Sequence, residues 1–165
     1  MATSRLAIRA VKALGLSSIP SLVGPEDELQ TFVKGAPVID EGGSGYVGEA
    51  GTDPRAILGF TTEAGHNAAA DGTENIRFVP ALPHVVFEGT LDKASTLGTY
   101  LLLATDRFAE YGLTRDAAGI WYIDKDKVTG GTNTVVRVVG FKDPVGTNLA
   151  RVYFIVLHEV TVYET

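Results

Sequence analysis

Cysteine is absent from this 165-residue chain. That excludes a disulfide framework, a thiolate metal site and a cysteine nucleophile. A basic surplus is absent too. Fourteen Lys and Arg stand against 20 Asp and Glu, a net charge of −6, which argues against a nucleic-acid binder. No apolar run approaches the ~20 residues of a membrane span. The first residues lack a continuous apolar centre, so no secretory signal is expected. Helical periodicity is scarce. Thr105–Tyr111 allows one or two turns, with Thr105 or Asp106 as N-cap. Residues 3–14 are ambiguous: Leu6, Ala10, Val11 and Leu14 fit a helical face, while Leu6 and Ile8 fit alternation.

What the chain has instead is punctuation. Nineteen glycines and seven prolines separate short runs rich in Val, Ile, Tyr, Phe and Thr, the pattern of many short strands joined by turns. The predicted strands are Thr31–Ile39, Tyr46–Ala50, Ala56–Thr62, Asn75–Pro80, His84–Leu91, Thr99–Ala104, Ile120–Asp124, Thr134–Phe141 and Arg151–Val156, with a short one over Val160–Tyr163. Val152–Leu157 is apolar throughout, as in a strand covered on both faces. The expected fold is therefore all-β, a small barrel or sandwich of about nine short strands with little helix. Charge divides the chain. Residues 1–25 hold Arg5, Arg9 and Lys12 and no acid, and read as an extended basic arm and linker; residues 26–165 read as one β domain. A chain of this size buries roughly 70% of the surface its unfolded form exposes, enough for a core without metal or disulfide.

Reactive motifs are sparse. Gly43-Ser44-Gly45-Tyr46-Val47-Gly48 matches the spacing of a dinucleotide loop, but the residues that follow set up no helix to hold a pyrophosphate, so a glycine-rich turn is the reading. Asp124-Lys125-Asp126 opens like a calcium loop and then departs from it at Val128. No two of His66, His84 and His158 lie within four residues, so a metal site would have to assemble across strands. No catalytic centre and no cofactor are expected. Trp121 and Tyr122, with Tyr100, Phe108 and Tyr111, read as core or interface anchors before they read as a sugar platform.

Several segments in order carry a resemblance: Arg5–Leu14, Phe32–Val38, Ile57–Phe60, Glu63–Asn67, Val79–Pro83, Val86–Leu91, Trp121–Asp124 and Val138–Pro144. Together they resemble small virion proteins of tailed bacteriophages, the head decoration or cement proteins. The resemblance implies a β-barrel or β-tulip domain with an extended arm. It implies a homotrimer on the outer capsid surface that stabilises the head by bridging major capsid subunits, assembled in the host cytoplasm. On that reading the arm makes the partner contacts, with Leu6, Ile8 and Val11 as apolar anchors and Arg5, Arg9 and Lys12 as salt-sensitive rim contacts. Two rival expectations remain. A carbohydrate- or receptor-binding module of a phage tail or baseplate needs Trp121, Tyr122 or other aromatics exposed in a groove. A metal hydrolase needs the three histidines to converge.

Overall fold

A computed structural model describes residues 5–128 and 134–157. Eleven strands lie among them: β1 Arg9–Ala13, β2 Leu22–Pro25, β3 Pro37–Asp40, β4 Val47–Glu49, β5 Gly59–Thr61, β6 Asn75–Pro80, β7 Val85–Asp92, β8 Glu110–Arg115, β9 Trp121–Val128, β10 Val136–Phe141 and β11 Arg151–Val156. Among the described residues helix is confined to single 3-10 turns at Glu41–Gly43, Ala94–Thr96 and Ala104–Asp106. The fold is all-β, as expected, with more strands than the nine counted from the sequence.

Two sheets form. In the first the order is β1-β7-β11-β10-β8-β9, and β9 returns to pair in parallel with the far end of β7. Strands β7, β11, β10, β8 and β9 thus close a five-stranded barrel, and β1 lies along the near half of β7. In the second the order is β2-β6-β5-β3-β4, and a parallel bridge from Glu26 to Val47 draws its two edges together. Closure removes free edges that would otherwise pair with foreign strands. The segment expected as an arm and linker therefore enters both sheets, as β1 on β7 and as β2 on β6.

One apolar cluster runs through both sheets, from Ile8 and Ala13 to Val152, Phe154 and Val156. Its centre is an aromatic trio. Phe60 of the second sheet lies 4.8 Å from Phe87 and 5.8 Å from Phe154 of the first, and Phe87 and Phe154 are 5.7 Å apart, centroid to centroid. Two glycines permit this packing. A Cβ at Gly59 would stand 2.1 Å from the Val79 carbonyl oxygen. At Gly35, whose φ is +85°, a Cβ would stand 2.6 Å from the Ile8 carbonyl oxygen.

Four local expectations changed. Thr31–Ile39, expected as one strand, is loop and turn as far as Ala36 and strand only from Pro37. Thr99–Ala104 is no strand but a loop held by one bridge, Leu101 to Asn148. The weighed helix at Thr105–Tyr111 is one 3-10 turn that gives way to β8, because Phe108 takes a left-handed φ of 66° that no helix continues through. Val152–Leu157 is covered on one face only: Val152, Phe154 and Val156 point inward, while Tyr153 and Ile155 stay half-buried on the outer face. Val160–Tyr163 lies outside the described residues.

Candidate functional site

The polar groups buried in this molecule are arranged as girders. Asp106 is fully buried and accepts hydrogen bonds from the Tyr111 hydroxyl at 2.7 Å, the Tyr100 hydroxyl at 2.8 Å, the Leu103 N–H at 2.7 Å and Lys125 Nζ at 2.8 Å. Burial alone pushes its pKa up, but Lys125, the Leu103 amide and the two hydroxyls more than offset that, and the net direction is down. Burial and the Asp106 charge push the Tyr100 and Tyr111 phenols well above their ordinary value. Every donor is committed to holding loop 100–106 against β8 and β9, and none is aimed at an open cavity.

The residues expected to meet a partner through the N-terminal arm are divided by the structure. Ile8 is fully buried in the chain's own core. The Arg5 guanidinium pairs with buried Asp92 and with Asp116, the latter at 3.0 Å, and lies 4.4 Å from the centre of the Tyr122 ring. The two carboxylates raise the pKa of Arg5 against the lowering effect of its burial. Burial, with the Asp124 charge, pushes Tyr122 up to about 12. Arg5 and Ile8 are thus engaged internally, so a salt-sensitive rim contact and an apolar anchor for another chain are not what these two side chains supply in this arrangement. Leu6, Arg9 and Lys12 are exposed and Val11 is half-buried, and these four face outward. Arg9 pairs with Glu88 at 3.2 Å.

The other motifs resolve as follows. The glycine-rich stretch is the turn between β3 and β4, and a strand follows it. Asp124, Lys125 and Asp126 lie within β9. Trp121 is 1% exposed, its indole N–H donating to Glu49 at 2.7 Å, and Tyr122 is buried beside it, so neither offers a face for stacking a sugar. Among the described residues no three His, Asp or Glu side chains form a group that could hold a metal ion. His158 lies outside the described residues.

His66 is held by one buried carboxylate. Its Nδ1 meets the fully buried Glu26 carboxylate, which also accepts the His66 backbone N–H at 2.7 Å. The bond to Glu26 raises the His66 pKa, desolvation lowers it, and the charges of Glu26, Glu63 and Glu74 raise it further. A folded value above the unfolded one near 6.5 means that the extra stability is complete below about pH 6.5 and is lost as the pH climbs through the folded value. An NMR titration of the His66 ring is expected to show a midpoint above 6.5, and His66→Gln is expected to flatten the stability profile in that range. A midpoint at or below 6.5 would contradict the pairing.

The feature left unexplained by folding is at the surface. Leu102 is buried, but its neighbours Leu101 and Leu103 are exposed. The Leu102 N–H donates to the Thr147 carbonyl at 3.0 Å and the Gly146 N–H to the Leu102 carbonyl at 2.8 Å, which sets exposed Val145 alongside. Phe108 follows the 3-10 turn, is anchored by its N–H to the Val138 carbonyl at 2.8 Å, and is 67% exposed. A bulky side chain with positive φ is strained by roughly 1–3 kcal/mol. Here that strain holds an aromatic ring out in solvent. Leu101, Leu103, Phe108 and Val145 are thus all exposed on loops 93–109 and 142–150, which the backbone bonds of Leu102 tie together. The clue available from sequence was Leu101-Leu102-Leu103, three consecutive leucines of which an extended segment buries only one. No family model, curated protein or solved structure matches this chain.

Proposed function

We propose that this chain is a structural protein that works by surface laid against other protein subunits: a decoration protein of a tailed-phage head, bridging major capsid subunits as a homotrimer on the outer surface. The observation that carries the reading is this set of exposed apolar side chains, above all Phe108, 67% exposed on a left-handed backbone. Exposed aromatic and leucine side chains on a rigid support are what a subunit contact requires. The resemblance of the ordered segments between residues 5 and 144 supplies the partner. Two ion pairs on fully buried carboxylates, Arg5–Asp92 and Lys125–Asp106, suit a role in which the molecule bears load. Binding at many equivalent sites would then multiply a modest single contact through avidity.

Co-sedimentation with phage heads tests this. The double variant Leu103→Ser, Phe108→Ser is expected to lose about 2 kcal/mol or more of binding, roughly 30-fold, because central apolar anchors dominate such interfaces. Its melting temperature should fall little, since Phe108 is 67% and Leu103 46% exposed in the single chain. A folded variant that pellets with heads as well as the parent protein would end the proposal.

A further inference from the structure

Charge is distributed unevenly between the two sheets. Residues 26–74, which supply β3, β4 and β5, carry ten acids against Lys34 and Arg55. From this acidic half one large apolar side chain protrudes. Leu29 is 63% exposed and takes a φ of 58°, a second bulky residue in the left-handed region. Its N–H donates to the Ala68 carbonyl at 2.8 Å, and the Glu28 N–H donates to Asp71 at 3.1 Å. The knob is thus fixed on a surface that also carries exposed Glu28, Asp71 and Glu74.

The other half of the molecule has a feature of opposite character. On the outer face of β1, β7, β11 and β10, the residues Val11, Lys12, Val86, Val139, Gly140 and Tyr153 line a shallow, mainly apolar groove of about 340 Å³. Gly140 stands opposite Tyr153 in the ladder and leaves the space open. Exposed Arg9, Lys12, Arg137 and Lys142 rim this face; Glu88, tucked beneath Arg9 and Lys142, and Glu110, paired with Arg137, are the acids among them. Residues 152–157 have the apolar pattern of a strand covered on both sides, yet a single chain covers one side.

We propose that copies of the chain associate head to tail, Leu29 of one copy entering the Val11–Val86–Tyr153 groove of the next. An apolar knob among carboxylates meets an apolar slot among cations, so burial and charge complementarity favour the same pairing. The contact is heterologous, with different surfaces on the two copies, and such contacts close into rings when the rotation allows. This deepens the structural reading above and rests on it, since it specifies how the proposed trimer closes.

The test needs no capsid. By analytical ultracentrifugation the parent protein is expected to sediment as an oligomer that weakens at about 1 M salt, where charges are screened within ~3 Å. Leu29→Asn, a residue that tolerates the left-handed backbone, and Tyr153→Asp are each expected to weaken self-association about tenfold or more. Each retains one intact surface, so mixing the two variants should yield a one-to-one complex. A monomeric parent protein, unaffected variants, or a mixture that stays monomeric would each overturn the inference. Circular dichroism confirms folding, and because the solution mass reports only on Leu29 and the groove, a loss of capsid binding through Phe108 with the mass unchanged separates the two readings.

Discussion

Asp106→Ala is expected to cost about 3–5 kcal/mol, the penalty for leaving a buried charge without its partner. Against a total stability of roughly 5–15 kcal/mol for such a domain, that is enough to unfold much of the protein at 37 °C. The reason is the number of groups left behind. Lys125 Nζ, the Tyr100 and Tyr111 hydroxyls and the Leu103 N–H all donate to this one carboxylate, and the Tyr111 hydroxyl, buried in the core, would be left without an acceptor. Trp121, the only tryptophan and buried in the core, reports unfolding in urea by its fluorescence. A midpoint within experimental error of the parent protein would show that the network is dispensable. Asp106→Asn should cost less, because it keeps an acceptor and the shape. Acid has a related effect. The folded pKa lies below the unfolded one, so the stabilisation is present above about pH 4 and disappears as the pH falls through the folded value.

The second large effect is expected at the junction of the sheets. Phe154→Ala removes a fully buried ring that touches Phe87 in its own sheet and Phe60 in the other, and should cost about 3–5 kcal/mol in lost transfer energy and residual cavity. Because Phe60 and Phe154 are in contact, the double variant Phe60→Ala, Phe154→Ala should fall short of the sum of the singles by about 0.5 kcal/mol or more. Strict additivity in a urea-denaturation cycle would show that the two sheets are not coupled through this trio. Loss of a single cooperative transition would show instead that each sheet melts on its own.

Both effects lie in residues whose type was visible in the sequence but whose partners were not. Asp106 was a plausible N-cap, and it does accept the Leu103 amide; nothing nearby in sequence announces Lys125 above it. The strands β6, β7, β10 and β11 were legible because each repeats an apolar residue on one side over six or eight positions. β1 was ambiguous because a register shift between Ala10 and Lys12 breaks its alternation. β2 reads as linker in the sequence because Leu22-Val23-Gly24-Pro25 is short and ends in proline. β8 was hidden by Phe108, whose left-handed backbone is unexpected for a phenylalanine and is fixed by the hydrogen bond its N–H donates to the Val138 carbonyl of β10.

The candidate contact surface was the less legible part. Arg5 and Ile8 stood out through local charge and hydrophobicity, and both serve the interior. Leu29 carries no local signal, and Phe108 reads only as one aromatic anchor among several, yet these two with Leu103 are among the side chains the molecule presents to solvent.

Composition and periodicity by themselves determined that this chain is all-β, holds its core without cysteine and carries an acidic excess, because those properties depend only on which residues occur and at what spacing. Tertiary structure decided which apolar residues are left over once the core is full. Side-chain type gives the free energy gained by burial, whereas the side of the sheet, the register and the closing strand decide whether burial happens, and these are settled by residues up to about a hundred positions apart, such as Arg5 and Asp116.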